Sequence, residues 1–410
     1  MNPPTIQLLP SAKRGPSDRA FGKAWLSYYA GYSRSYVKSA LSALDITKSE
    51  LILDPWSGSG TTGLVAQSLG YRSISVEINP VIAYLAAGHF ALNSLSRVQI
   101  EEVAQLLDEL VTKVGRSRKP YVSGAFVLNY LKRNTPTSLP PNSTRFETPE
   151  IVAPEFALGI SIALLAYKQV AGYALTKNPS WKSHDASMVR SSDFRLSLQR
   201  QISRFIEHIP ETPESSMAKQ IIGDARALPL RSDSVDAIVT SPPYLTRIDY
   251  VKATAAEMTW LFGSQQLRKA RLDNMGAPVI RDSTQPPRWP DCSLISDILS
   301  EIEFHNSYAA QSYYLKTFRQ YFDDMYVSLS EISRVMKPGA VALLVVQNSF
   351  FKEIEIPLGE LYVDLWNRCF GSGEVVSRHH TTNSMVQVNR RAVSSQMRRH
   401  LHEDTIALYK

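Results

Sequence analysis

The stretch DPWSGSGTT, at residues 54–62, carries the clearest information about the fold of this chain. The short apolar run Leu51–Asp54 leads into it and is stopped by Pro55, and a helical pattern follows it. This order predicts a strand, a glycine-rich turn and a helix, with Gly58 and Gly60 allowing the backbone to approach a ligand. A phosphate loop is disfavoured because its lysine is missing, and a dinucleotide fingerprint is disfavoured because the third glycine is misplaced.

A second strand, Ser73–Glu77, ends in an acid about twenty residues after the turn, which is the usual distance for a ribose-binding carboxylate. Taken alone, Glu77 fits equally well as a glutamate favoured by the dipole of the next helix. Its pairing with the glycine-rich turn favours the ribose interpretation. The spacing of the two strands is that of a βαβ unit, so the sequence predicts a parallel sheet.

Two further strand ends carry polar residues. Asp224 follows a strand that contains Gln220, and its carboxylate is a candidate acceptor for an adenine amine, although an Asp after Gly is more often a turn residue. The stretch TSPPY, residues 240–244, follows the strand that begins at Val235. Its two prolines remove donors and fix the backbone. Ser241 and a proline carbonyl could therefore accept from a planar base amine, and Tyr244 offers a stacking face; the alternative is a rigid turn.

Length and composition limit the class of protein. The chain has 410 residues, of which 44% are hydrophobic and 20% charged, so the sequence predicts a globular protein of two to three domains or of one large domain with insertions. Its formal charge of +7 favours an anionic partner. Two cysteines, Cys292 and Cys369, exclude a disulfide framework, and no metal site is expected from His379-His380. No signal peptide or membrane-spanning run is visible, so the expectation is a protein without a membrane role.

The motifs DPWSGSGTT, SVEINP (75–80), GDAR (223–226) and TSPPY together resemble the amino-methyltransferases that use S-adenosylmethionine to modify exocyclic amines in DNA. The stretches YYAGYSRSYV (28–37) and RVMKPGAVALLVV (334–346) are also similar to these enzymes. The resemblance lies mainly in residues 25–92, 219–262 and 310–350. Ser241 at the first tetrapeptide position looks like the cytosine-N4 branch, since the adenine-N6 branch usually carries Asp or Asn there.

The resemblance implies a fold, a reaction and a setting. The implied fold is the α/β, Rossmann-like class I methyltransferase sandwich with inserted subdomains and a mostly parallel seven-stranded sheet, closed by antiparallel strands near 373–378 and 405–410. The implied reaction transfers a methyl group from S-adenosylmethionine to the N4 amine of a flipped-out cytosine in double-stranded DNA. The implied setting is restriction-modification or phage defence in a prokaryotic cytoplasm, near the nucleoid, by a monomer or dimer with a restriction nuclease as candidate partner.

The resemblance also assigns the site residues. The catalytic group is Ser241, Pro242, Pro243 and Tyr244. The cofactor-binding group is Tyr32, Ser33, Asp54, Ser57, Gly58, Gly60, Thr61, Glu77, Ile78, Asp224 and Ala225. Three alternatives stay open: an adenine-N6 DNA methyltransferase, an RNA base-amine methyltransferase, and a DNA-binding module with an inactive methyltransferase fold.

Changes in pattern divide the chain into five parts: an arm with the cofactor-binding half (1–94), an inserted helical and loop region (95–217), the catalytic half (218–262), a loop-rich insertion (263–305) and the C-terminal part of the core (306–410). The two insertions are the candidates for target recognition. Basic residues, which suit phosphate contacts, cluster at Lys113–Lys119, Lys132-Arg133, Arg190–Arg204, Arg268–Arg271 and Arg390–Arg399.

Overall fold

A computed structural model describes residues 9–13, 31–135, 150–171, 188–207, 209, 213, 218–245, 249–281, 286–380 and 401–410. Its centre is a sheet of eight strands in the order β3-β4-β2-β1-β5-β6-β10-β9, beside a two-stranded sheet of β7 and β8. The strands are Leu51–Asp54 (β1), Arg72–Glu77 (β2), Glu150–Ile151 (β3), Ala218–Ile222 (β4), Val235–Thr240 (β5), Met336–Gln347 (β6), Ser349–Phe351 (β7), Ile354–Ile356 (β8), Ser372–His380 (β9) and His402–Tyr409 (β10).

The pairing of the strands confirms a mixed α/β fold with a mostly parallel sheet. Strands β4, β2, β1, β5 and β6 pair in parallel, and β10 lies antiparallel between β6 and β9. The prediction of seven strands is wrong by one, because β3 adds an antiparallel edge strand to β4. A strand of two residues is too short to leave an alternating pattern in the sequence.

Twelve α-helices are assigned within the described residues. They are Arg34–Ala43 (α1), Thr61–Ser68 (α2), Pro80–Ser94 (α3), Arg97–Arg116 (α4), Gly124–Asn134 (α5), Pro154–Val170 (α6), Ser191–Glu207 (α7), Ala255–Phe262 (α8), Ser264–Asp273 (α9), Ser293–Glu303 (α10), Leu315–Val335 (α11) and Leu358–Cys369 (α12). A 3₁₀ turn, Lys252–Thr254, precedes α8, and a π-helical turn, Ala310–Tyr314, precedes α11. Among these residues, no helix combines the length and the apolar character that a membrane crossing requires.

The segment 263–305 was expected to be rich in loops, but about half of it is helical. It contains α9 and α10, and its prolines lie between the two helices. The apolar face of α10, which includes Ile295 and Ile302, packs into the same core as α11. The prolines and basic residues of this segment indicate a loop, but contacts with the rest of the fold stabilise two short helices on either side of the prolines.

Three apolar clusters surround the sheet. One face packs against α1, with Tyr36 and Leu41 buried there, and the other packs against α10, α11 and α12. The buried stripe predicted for α11 is present, and its Phe322 and Leu329 are fully buried. A third cluster joins α3 to α4, α5, α6, α7 and α8, so the helices of the 95–217 region share a core with α3.

The glycine-rich turn depends on left-handed backbone at Gly58 (φ 49°) and Gly60 (φ 80°). The Gly60 amide donates to the Ser57 carbonyl at 2.8 Å, and Gly60 is the N-cap of α2. A Cβ on Gly60 would lie 2.9 Å from the ring of Phe90. Glycine is therefore required at position 60 by both its conformation and its neighbour.

We expect Gly60→Ala to be clearly more destabilising than Gly70→Ala. Gly70 has a similar φ of 78°, but nothing lies within 4 Å of a Cβ placed there. Gly70→Ala should cost about 1–2 kcal/mol of unfolding free energy through backbone strain alone. Gly60→Ala should cost about 1–3 kcal/mol more, because the Phe90 ring must also move. Urea denaturation of both variants measures the difference, and equal costs would contradict the crowding at Gly60.

Candidate active site

Asp54 ends β1 in a buried position directly before the glycine-rich turn. The Thr240 hydroxyl, at the end of β5, donates to Asp54 Oδ1 at 2.6 Å, and the Trp56 amide donates to the same oxygen at 3.3 Å. Oδ2 is buried and has no hydrogen-bond partner among the described residues. Burial raises the pKa of Asp54 to about 6, although the hydrogen bonds from Thr240 and Trp56 oppose the shift.

Glu77 ends β2 and turns back onto the glycine-rich loop. The Gly58 amide donates to Glu77 Oε2 at 3.0 Å, and the Asn79 amide donates to Oε1 at 2.8 Å. Burial raises the pKa of Glu77 to about 7, against the lowering effect of these two bonds. Each oxygen still has a lone pair, so the carboxylate can accept two further hydrogen bonds while it holds the turn.

The remaining residues of the turn are also held by their neighbours. The Ser57 amide donates to the Val76 carbonyl at 3.0 Å, and Gln220 Nε2 of β4 donates to Ser57 Oγ at 3.2 Å. Thr61 is the first residue of α2. Ile78 follows Glu77 directly and is half-buried.

Tyr32 and Ser33 come near the site in different ways. The Tyr32 hydroxyl forms a short hydrogen bond with Thr62 and donates to the Val239 carbonyl at 3.3 Å, so this side chain joins β5 and α2. Ser33 caps α1, and its hydroxyl accepts from the Tyr36 amide at 3.3 Å. The Ser33 amide also donates to the Ala12 carbonyl at 2.7 Å. Residues 28–30 of the motif that contains Tyr32 lie outside the described residues.

Asp224, the predicted adenine acceptor, is engaged by an arginine of the same motif. Arg226 donates to both carboxylate oxygens of Asp224, with the shortest contact at 2.6 Å. Arg226 also reaches Asp324 at 2.8 Å, and Arg281 reaches the other oxygen of Asp324 at 2.6 Å. Ala225 is buried beside Asp224. Sequence reasoning missed this network, although Arg226 stands in the GDAR motif.

The tetrapeptide leaves β5 with Ser241 between two hydrogen-bonding groups. Its hydroxyl lies 3.1 Å from the Val345 carbonyl of β6 and 3.2 Å from the Tyr244 hydroxyl. The Ser241 hydroxyl is the donor toward both the Val345 carbonyl and the Tyr244 hydroxyl. The lone pairs of Ser241 Oγ are therefore left for an amine. Burial raises the pKa of Tyr244 well above its usual range, so its hydroxyl stays protonated.

Two aromatic residues absent from the predicted site hold the rest of the tetrapeptide. The Tyr321 hydroxyl donates to the Pro243 carbonyl at 2.9 Å, and the Tyr244 amide donates to the Tyr250 hydroxyl at 3.3 Å. Pro242 is buried. Tyr321 lies on the buried face of α11, where the sequence pattern indicates only a core role.

Two basic clusters that are far apart in the sequence meet in space. The Ser191 amide donates to the Pro120 carbonyl at 2.9 Å, and the Val122 amide donates to the Val189 carbonyl at 3.0 Å. Trp260 Nε1 of α8 donates to the Val122 carbonyl at 3.2 Å, which ties this junction to the helix after the tetrapeptide. Six exposed residues form this basic surface: Lys113, Arg116, Arg118, Lys119, Arg190 and Arg200. None of the six forms an ion pair within the described part of the chain.

The arginines of the 263–305 region are engaged differently. Arg271 pairs with Asp249 at 2.7 Å, Arg288 pairs with Asp323 at 2.6 Å, and Arg281 pairs with Asp324 as described above. Lys132 pairs with Glu150 at 3.3 Å. The cluster Arg390–Arg399 lies outside the described residues. Within the described ranges, no group of three or more His, Cys, Asp or Glu side chains could hold a metal ion.

The similarities of this chain to known proteins include the following three. Residues 41–88 match a family model described as DNA methylase. The chain is 23% identical over 396 residues to the Type II methyltransferase M.BsoBI of Geobacillus stearothermophilus, covering 82% of this chain and 75% of that protein. The rRNA methyltransferase aviRa from Streptomyces viridochromogenes aligns with a TM-score of 0.31 and 11% identity, over 97% of this chain and 96% of that chain. The family match covers β1, the glycine-rich turn and β2, which are the elements that hold Asp54 and Glu77.

Proposed function

We propose that the protein is a site-specific DNA methyltransferase that transfers a methyl group from S-adenosylmethionine to the N4 amine of a flipped-out cytosine. The observation that carries this proposal is Ser241, a neutral hydroxyl with free lone pairs at the carboxyl edge of the sheet, directly after Thr240, whose hydroxyl donates to Asp54. The proposed setting is restriction-modification or phage defence in a prokaryotic cytoplasm.

The residues around the glycine-rich turn fit the proposed cofactor. Asp54 Oδ2 is a buried acceptor without a partner among the described residues, as expected of an oxygen that a ligand completes. Two oxygens of Glu77 have lone pairs for the two ribose hydroxyls, and Gly58 and Gly60 carry no side chain that would block the approach. We assign the methionine end to Asp54, Ser57, Gly58 and Gly60, the ribose to Glu77 and the adenine to Asp224.

The raised pKa values of Asp54 and Glu77 suit a cationic ligand. S-adenosylmethionine supplies, when bound, an electrophilic methyl group on a positively charged sulfur. Two carboxyls that titrate at about 6 and about 7 are mostly ionised at pH 8 and mostly protonated at pH 5. Cofactor affinity should therefore fall as the pH is lowered through this range.

In the proposed reaction the tetrapeptide positions the amine. Ser241 Oγ and the Pro242 carbonyl accept the two amine protons, and this favours a tetrahedral nitrogen whose lone pair is free to attack. The Tyr244 ring stacks on the base, while its hydroxyl keeps Ser241 oriented. The contribution of these residues is positioning and transition-state stabilisation by fixed dipoles.

We propose that the 95–217 region supplies most contacts to double-stranded DNA and that 263–305 has the smaller share. The six residues of the basic surface have no acidic partner among the described residues, so they are available to phosphates. Arg271, Arg281 and Arg288 already balance acids of the fold. Because Trp260 links the basic surface to the helix that follows the tetrapeptide, bound DNA would lie next to the proposed base pocket.

We expect Glu77→Ala to weaken the binding of S-adenosylmethionine roughly 10- to 150-fold, because hydrogen bonds to a charged group contribute about 1.5–3 kcal/mol. Isothermal titration calorimetry at pH 8 measures the change. Glu101→Ala, which removes an exposed carboxylate from α4, is the matched control and should bind like the wild type. Wild-type affinity in a folded Glu77→Ala protein would remove Glu77 from the cofactor site.

The product of the reaction tests the proposed function directly. Nucleoside mass spectrometry after incubation with cytosine-rich and adenine-rich duplexes and with RNA should detect N4-methylcytosine in DNA. Ser241→Ala should lower the methylation rate by about one to three orders of magnitude, the range for losing one oriented hydrogen-bonding group. N6-methyladenine as the sole product would refute the cytosine branch. Binding of DNA without methylation of any base would favour the inactive module.

The basic surface is tested by the salt dependence of DNA binding. We expect the triple variant Arg116→Gln, Lys119→Gln, Arg190→Gln to reduce the slope of log affinity against log salt by about 0.9 for each DNA phosphate that the protein no longer neutralises. Arg97→Gln, at the other end of α4, is the control and should leave the slope unchanged. A triple variant with the wild-type slope would show that DNA binds elsewhere.

A further inference from the structure

Asp224 lies at the same edge of the sheet as Glu77. Ile222, the last residue of β4, stands opposite Glu77 of β2, and the Gly223 amide donates to the Glu77 carbonyl at 3.1 Å. Asp224 follows directly and begins a tight turn, which is closed by a hydrogen bond of 3.0 Å from the Ala227 amide to the Asp224 carbonyl. The side chain of Asp224 keeps 33% of its surface exposed, so it is open to a ligand bound beside Glu77.

Arg226 engages the Asp224 carboxylate with three hydrogens. The Arg226 amide and Nε donate to Asp224 Oδ1 at 2.9 and 3.0 Å, and Nη2 donates to Oδ2 at 2.6 Å. Nε also lies 3.0 Å from Oδ2, so its single hydrogen is shared between the two oxygens. A carboxylate has about four lone-pair sites, and no other donor among the described residues reaches this one. One acceptor site of Asp224 is therefore left for a ligand.

The other side of the Arg226 guanidinium is anchored in the interior. Nη1 donates to Asp324 Oδ1 at 2.8 Å, and Nη2 donates to the carbonyl of Asp273, the last residue of α9, at 2.6 Å. Asp324 of α11 is fully buried, and its second oxygen accepts from Arg281 at 2.6 Å. Arg226 is thus fixed by α9 and α11, and it cannot turn away from Asp224 without breaking a buried ion pair.

The two acids that Arg226 contacts are placed differently. Asp324 is fully buried and receives a guanidinium on each oxygen, so its charge is compensated within the fold. Asp224 is partly exposed and keeps an acceptor site at the edge of the sheet. Ion pairs that reach solvent contribute little to stability, so stability alone does not explain an acid at this position. The contrast indicates that Asp324 anchors Arg226 and that Arg226 orients Asp224.

We propose that Arg226 is the positioning residue that makes Asp224 selective for a ligand with an amine at this point, and therefore for adenine over hypoxanthine. The inference rests on the proposed function, in which Asp224 accepts from the adenine of the cofactor. An ionised carboxylate has no proton to donate, so its remaining site accepts an N–H. Hypoxanthine carries a carbonyl oxygen in place of the amine, and two acceptors would then face each other without a hydrogen between them.

The test measures how strongly the protein prefers S-adenosylhomocysteine over S-inosylhomocysteine, in which a carbonyl oxygen replaces the amine. Both compounds are titrated by calorimetry at pH 8 into the wild type, Arg226→Gln and Arg281→Gln. We expect the wild type to prefer the adenine compound by about 10- to 150-fold, the range for a hydrogen bond to a charged group. Arg226→Gln should reduce the preference to within about fivefold, the range for a solvated carboxylate that no neighbour holds.

Arg281→Gln is the matched control. It also removes one guanidinium from Asp324, but it leaves every contact between Arg226 and Asp224 in place. Its preference for the adenine compound should equal that of the wild type. The melting temperatures of the two variants should fall by similar amounts, since each leaves one oxygen of Asp324 without its guanidinium. A purely structural role for Arg226 would make the two variants alike in ligand preference as well.

A second pair of variants is used if Arg226→Gln does not fold. Asp324→Asn removes the buried charge that Arg226 balances, so the double variant Asp324→Asn, Arg226→Gln has no unpaired acid at this place in the interior. The single variant keeps the arginine on Asp224 and should keep the preference for the adenine compound. The double variant should lose the preference, and equal preference in the two proteins would contradict the inference.

The outcomes distinguish this inference from the proposed function. A preference that is lost in Arg226→Gln and kept in Arg281→Gln supports the inference. A preference that Arg226→Gln retains, or that both variants lose equally, would overturn the inference alone. A wild type that methylates DNA but binds the two compounds equally well would also overturn it, because Asp224 would not read the amine. A wild type that binds neither compound and methylates no base would overturn the proposed function and this inference with it.

Discussion

The hydrogen bonds from two backbone amides to the Glu77 carboxylate hold together the edge of the sheet at which the candidate site is built. One amide belongs to the glycine-rich turn after β1 and the other to the start of the helix after β2. A single side chain thus fixes two strand ends relative to each other. The backbone can form these contacts only because Gly58 and Gly60 adopt left-handed conformations, which a bulkier residue would adopt at a cost.

The buried acids of this protein fall into two groups. Asp324 is fully buried and receives a guanidinium on each of its oxygens, so its charge is compensated within the fold. Asp54 keeps a buried oxygen that no described residue contacts through a hydrogen bond. The first arrangement stabilises a structure, whereas the second leaves an electrostatic cost that a cationic ligand can relieve. This difference, rather than burial itself, separates candidate functional carboxyls from structural ones.

The basic residues also fall into two groups, those that pair with acids of the fold and those that do not. The arginines at 271, 281 and 288 are neutralised by Asp249, Asp324 and Asp323, and they connect the 263–305 region to α11 and the segment after β5. The basic surface near Lys119 and Arg190 has no such partners among the described residues, and it is built from two segments that only the helical packing brings together. A basic residue in the sequence is therefore a candidate for phosphate binding only if no acidic side chain of the folded protein forms an ion pair with it.

Local sequence was sufficient to predict the strand, turn and helix around residues 54–62, a parallel sheet and the acids at the ends of its strands. These features are local because glycine, proline and apolar runs act on the backbone within a few residues. The eighth strand, the two helices of 263–305 and the ion pairs of Arg226 and Arg281 with Asp324 arise only in the folded chain. Each of them joins residues far apart in the chain or depends on too few residues to form a pattern. The physical reason is that hydrogen bonds and ion pairs between distant segments depend on packing, which no local spacing records.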